Sequence, residues 1–181
     1  MKTYKMTKIA LVTAIMCIIS PFMIYIPVSV VPVSLSVFTV FIGVYVLDVK
    51  EGLIACTLYV LLGLAGLPVF SGFTGGPAKL LGPTGGYILG YFLIILIAAP
   101  FVRGSNDRRI HFLALIVGVA ACYFLGTLWL AVSTGISFDK ALMAGVLPFI
   151  PADLVKTAAI LVVGPQLKRV SEGQYQRQGR E

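Results

Sequence analysis

Residues 9–47 contain no Asp, Glu, Lys or Arg, and neither do residues 52–78, 80–102 or 110–138. The charges stand where these apolar runs end. A chain that goes so far without a charge cannot clothe a water-facing surface, and lipid is the solvent that such runs require. Composition agrees. Charged residues make up 12% and apolar residues 59%, against about 25% charged in a soluble domain. At roughly 20 residues per crossing, six spans and their connections use up the 181 residues. No length is left for a soluble catalytic or nucleotide-binding domain.

The expected spans are 9–20, 34–48, 52–66, 85–103, 110–133 and 151–167. The basic start resembles a signal peptide, but no small-x-small cleavage site precedes a polar domain, so a first transmembrane helix is expected. Pro21, Pro27 and Pro32 make IPVSVVPVS an extended connection. Residues 67–84 form a long glycine-rich loop, and 135–150 a short amphipathic piece. The reading is a single six-helix membrane domain, 1–170, with a polar tail, 171–181. Of fourteen lysines and arginines, eleven fall on the N-terminal side of this topology, Lys79 and Lys140 fall on the other, and Lys156 lies within a span. This asymmetry puts both termini in the cytoplasm and the glycine-rich loop outside. The net charge of +7 is therefore a flanking charge rather than a nucleic-acid stripe. Cys17, Cys56 and Cys122 all lie in apolar runs, as packing residues do, and no disulfide is expected.

Two features carry candidate chemistry. Asp153 and Lys156 sit in FIPADLVK at the start of the last span. An ionisable residue inside a span is costly and faces a cavity or a partner. A pair that only caps its own helix is the plainer alternative. As a ligand site, Lys156 can meet a carboxylate and Asp153 can accept from N–H groups. The stretch SGFTGGPAKLLGPTGGY, residues 71–87, is the second feature. It fails the phosphate-loop pattern, because Lys79 is followed by Leu80. Glycine lets backbone approach a ligand closely, and non-helical backbone near membrane depth belongs against protein or a cavity. A pocket wall or lid is expected here, with a flexible connector as the alternative. Ala10 and Ala14 form a small-xxx-small spacing on the first helix, open to close packing of another helix. His111 is expected at the interface. Trp129 is expected near the outer end of the fifth span, in an aromatic belt or walling a ligand ring, and Asp139–Lys140 is expected as a solvated pair. The single histidine leaves hydrolytic mechanisms poorly supplied, and no catalytic residue is assigned.

LGPTGGYILGY at 81–91, preceded by FTGG at 73–76 and followed by FIPADLVK, resembles the signature of the BioY family. These are the biotin-specific capture subunits, or S components, of energy-coupling factor transporters. The resemblance covers essentially the whole chain. It implies a six-helix binding protein of the cell membrane that takes biotin from outside and delivers it to the cytoplasm. Asp153 and Lys156 would then contact biotin, with Thr74, Gly75, Gly76 and Tyr87 in or beside the pocket. Ala10 and Ala14 would dock on a transmembrane coupling (T) subunit, and two ABC-type ATPases would supply the energy. Biotin is the transported ligand and no cofactor or metal is implied. Lys79 keeps two readings: a solvent-facing charge, or a second cation for a carboxylate. Capture of another vitamin, or a membrane protein with no transport role, are the alternatives.

Overall fold

The structure is a computed structural model that describes residues 2–24 and 33–178. Pro27 and Pro32, and with them most of the expected extended connection, lie outside the described residues. The chain is almost entirely helical: α1 (Lys2–Ile19), α2 (Ser36–Val46), α3 (Val49–Leu64), α4 (Pro77–Leu81), α5 (Gly85–Gly104), α6 (Arg108–Thr134), α7 (Phe138–Gly145) and α8 (Ile150–Gln178). One two-residue antiparallel pair, β1 (Met23–Ile24) with β2 (Val33–Ser34), brackets the first connection.

Helix ends follow from local chemistry. Asp48 caps α3 in a capping box with Glu51 three residues on, which satisfies orphan amides at both positions. The Asp107 side chain accepts from the Arg109 amide at 2.8 Å to start α6, and Gly135, at φ 71°, ends it in the left-handed conformation. Among the described residues, three helices are long and apolar enough to cross a membrane: Gly85–Gly104, Arg108–Thr134 and Ile150–Gly173. Helix α2, with eleven residues, rises only ~16 Å, about half the hydrocarbon thickness.

The packing is that of a membrane bundle. Tyr45, Phe41, Leu47, Ile94, Leu115 and Ile160 are fully enclosed, while Phe124, Val132 and Val155 point outward from α6 and α8. Outward apolar side chains on long helices are what a lipid surround accepts. Close approach comes from glycine. Gly126 has no room for a Cβ because the Tyr87 ring occupies that space, and Gly164 is met the same way by Tyr45. These contacts seat α6 on α5 and α8 on α2.

The six longer helices alternate in direction between two ends. At one end the start of α1 meets α3 through Lys5 and Lys8, 3.4 and 3.2 Å from the buried Glu51. There Tyr4 donates to the Ser171 carbonyl of α8 at 3.2 Å. Ser171 in turn donates to Val46 O at 2.8 Å. Arg103 donates to Val46 O and Leu47 O, closing the last turn of α2, and pairs with Asp48 at 2.9 Å. Lys168 is buried and donates to Val102 O, Arg103 O, Ser105 O and the Asn106 side-chain oxygen at 2.8–3.3 Å. A cation at a helix C-terminus meets the negative end of the peptide dipoles and satisfies carbonyls that the helix leaves open.

Three expectations are refined. The basic residues 2–8 form the first turns of α1 itself, where Lys5 and Lys8 reach a buried carboxylate. The stretch 171–178 continues α8 rather than forming a separate tail, and Ser171 is buried in it. His111 is enclosed by protein. It is 1% exposed, donates through Nε2 to Ser105 O at 3.0 Å and accepts from the Tyr45 hydroxyl at 3.1 Å. Replacing Lys168 by Met should orphan the carbonyls that end α5, at about 1–3 kcal/mol. The expected fall in melting temperature in detergent is roughly 2–10 °C, with exposed Arg169→Ala unchanged as the control. Equal melting of the two variants would contradict this account.

Candidate functional site

At the opposite end the same helices enclose a cavity of about 130 Å³. Asp153 and Lys156 line it from the first turns of α8. The sequence folds so because Phe149 O takes the Asp153 amide at 2.8 Å, starting α8 with its acidic residue at the favoured N-terminal end. Asp153 and Lys156 are 5% and 8% exposed, and Lys156 Nζ lies 2.7 Å from Asp153 Oδ1. The i,i+3 ion pair forms, but it is buried at a cavity rather than wetted at an interface. Its remaining bonds reach other elements. Tyr123 of α6 donates to Asp153 Oδ2 at 2.5 Å. Lys156 donates a second bond to Ser34 O of β2 at 2.7 Å. A buried ion pair is tolerable only when such further hydrogen bonds offset its desolvation.

The walls are mostly apolar and aromatic. Helix α5 gives Tyr87, Ile88 and Tyr91 on one face, with its N-cap Thr84 in line. Helix α6 gives Cys122 and Tyr123, α2 gives Val37, and Met23 and Phe149 close the sides. Ser71 and Lys79 come from the glycine-rich loop. Burial pushes the Lys79 ammonium below its ordinary pKa, the mark of a partly desolvated cation.

The loop is ordered by its own bonds. Gly72 donates to Pro21 O at 2.9 Å, Phe70 and Thr74 exchange backbone bonds, and Gly76, at φ 89°, donates to Gly63 O at 2.7 Å. Pro77 then opens α4, a helix that the glycines and prolines around it concealed. Thr74, Gly75 and Gly76, expected at the ligand, are not among the lining residues. Thr74 is exposed and donates to Ser71 O at 3.0 Å. A side chain at Gly75 would collide with the Leu67 carbonyl. These residues shape the lid rather than the surface beneath it. Trp129 does not line the cavity either. Its Nε1 donates to Gly82 O at 2.9 Å, and its side chain packs where a Cβ of Gly86 would lie. Tyr87 lines the cavity and donates to Gly145 O of α7 at 3.0 Å. Asp139 and Lys140 are exposed on α7, and Ala10 and Ala14 are exposed on α1 beside Leu11 and Ile18.

Sequence reasoning missed Tyr123, Tyr91, Thr84, Ser34 and Phe149. The helical spacing Thr84–Tyr87–Ile88–Tyr91 was available as a signal. The Tyr123–Asp153 bond, thirty residues apart, had none.

A family model described as the BioY family matches residues 1–173. The chain belongs to the BioY family. It is 40% identical over 138 residues to the probable biotin transporter BioY of Pyrococcus horikoshii, covering 76% of this chain and 81% of that one. It is 36% identical over 169 residues to the biotin transporter BioY2 of Lactococcus lactis subsp. cremoris, covering 93% and 92%. Among solved structures it is similar to the S-component for biotin from an ECF-type ABC transporter, with a TM-score of 0.84 and 28% identity over 93% of this chain and 92% of that one. With its apolar spans, this makes the chain a multi-pass membrane protein.

Removing the indole donor tests the lid assignment of Trp129. Losing one hydrogen bond of about 1 kcal/mol should speed amide exchange in residues 82–86 of Trp129→Phe about fivefold. Hydrogen–deuterium exchange that leaves this segment unchanged would contradict the role.

Proposed function

We propose that this chain is the biotin-capturing subunit of an energy-coupling factor, ABC-type uptake system of the cell membrane, and not an enzyme. The observation that carries the reading is the buried Asp153–Lys156 pair facing a mostly apolar cavity beneath the GPTGGY loop, in a chain of the BioY family. Biotin has an apolar bicyclic ring, a ureido group and a carboxylate. The ring suits the aromatic and aliphatic walls. The ureido group needs both an acceptor and a donor, because each group buried unpaired costs on the order of 1–3 kcal/mol. Asp153 is the acceptor and Lys156 the donor.

The six longer helices all cross the bilayer in this proposal, with the basic ends of α1, α5, α6 and α8 in the cytoplasm and the cavity at the outer face. Short α2 crosses with the help of its flanks, whose backbone is held by Arg103 and by β2. The chain has no nucleotide-binding loop of its own, so a transmembrane coupling subunit and two ATPase subunits provide the work. The exposed Ala10–Ala14 stripe of α1 supports docking on the coupling subunit, since small residues permit close helix approach.

Direct titration of the purified full chain with biotin tests the proposal. Wild type should bind biotin in preference to thiamine and riboflavin. Asp153→Asn and Lys156→Gln should each weaken binding roughly ten- to hundredfold. Binding of another vitamin with indifference to biotin would overturn the substrate, and normal biotin binding by both variants would overturn the site.

A further inference from the structure

We propose that Lys79, on the lid, is the specificity residue that receives the ligand's carboxylate, leaving the Asp153–Lys156 pair to the ligand's uncharged polar end. The inference rests on reading the cavity as a biotin site.

Three ionisable side chains of full charge line the cavity: Lys79, Asp153 and Lys156. Asp153 and Lys156 neutralise each other at 2.7 Å. Both oxygens of Asp153 are engaged, Oδ1 by Lys156 and Oδ2 by Tyr123. Two of the three Lys156 donors are engaged as well, by Asp153 and by Ser34 O. Lys79 has no hydrogen bond or ion pair among the described residues. The cavity therefore carries one surplus positive charge, and it sits on Lys79.

A single carboxylate can be placed at either cation. Beside Lys156 it would stand within a few ångströms of the Asp153 carboxylate, and like charges at that range disfavour one another's ionised form. Beside Lys79 it removes the surplus and gives the half-buried ammonium an anionic acceptor. A neutral ureido group placed at the Asp153–Lys156 pair meets an acceptor and a donor without breaking their mutual bond. The two halves of biotin thus match the two halves of the cavity by charge.

A plainer role for Lys79 is to serve the carbonyls at the end of α4. The Lys79 side chain makes no such bond among the described residues, and the acceptors at Ala78 and at the capping Gly82 are already taken. Gly82 donates to Ala78 O at 2.9 Å, and Gly82 O accepts from both Gly85 N and Trp129 Nε1. The segment carrying Lys79 is fixed at both ends, by Gly76 N to Gly63 O before α4 and by Trp129 after it. Lys79 is presented to the cavity from an anchored frame.

The experiment compares biotin with biotinamide, which keeps the ring and ureido group and lacks the charge. The full-length protein is used in detergent or nanodiscs, with a thermal melt of each variant to check folding. Wild type should prefer biotin roughly ten- to hundredfold. Lys79→Gln should lower biotin affinity to that of biotinamide while leaving biotinamide affinity unchanged, and Lys79→Arg should restore the preference. Lys156→Gln should weaken both ligands and keep the preference. A wild type that does not distinguish the two ligands overturns the inference without any variant. So does a Lys79→Gln protein that still prefers biotin, or a Lys156→Gln protein that loses the preference. Binding of neither ligand by folded wild type is the failure of the biotin reading itself, and the inference falls with it.

Discussion

One buried ion pair ties the upper half of this molecule together. Lys156 and Asp153 belong to α8, yet their remaining hydrogen bonds go to Ser34 on β2 and Tyr123 on α6. Both charges are buried, and a buried charge has to be satisfied by hydrogen bonds and a partner. Desolvation thus becomes a positioning force. It draws Ser34 of β2 to the cavity and holds Tyr123 against α8. Around the pair, α6 and α8 face each other mainly through apolar side chains such as Val119, Ile150 and Leu154, and Lys156 makes the bond from α8 that reaches the β1–β2 pair.

The other end uses the same chemistry for a different purpose. Lys168 meets four oxygens that surround the end of α5, Arg103 closes α2, and Tyr45 meets His111. There the cations find backbone carbonyls and carboxylates within the fold itself. Helix ends that would otherwise leave four carbonyls open are tied to neighbouring helices. The basic residues of this end therefore also hold the bundle closed.

This double duty explains what the sequence could reveal. A charge cannot be placed carelessly in lipid, so helix limits are written plainly: α5 was expected at 85–103 and runs Gly85–Gly104, and α6 was expected at 110–133 and runs Arg108–Thr134. The family signature also stands on residues that the fold needs for close approach, such as Gly85, where a Cβ would strike the Leu80 backbone. Asp153 and Lys156 were legible because a charge in a span demands a reason. Their partners were not, because Tyr123 and Ser34 are ordinary residues whose role depends on distant packing. The loop was legible as an ordered wall, but not which of its residues face inward. Thr74, Gly75 and Gly76 drew attention as glycine-rich backbone. Glycine there serves the turn geometry of the lid itself, and the inward positions fell to Ser71 and Lys79.

The two ends differ in what they leave unfinished. At the basic end every buried cation named above has its acceptors, and a path through the bundle on that side would have to part Lys168 from four oxygens and His111 from Tyr45 and Ser105. At the cavity end Lys79 has no hydrogen-bond or ion-pair partner among the described residues. In the proposed reading, a ligand that supplies one negative charge gives it one.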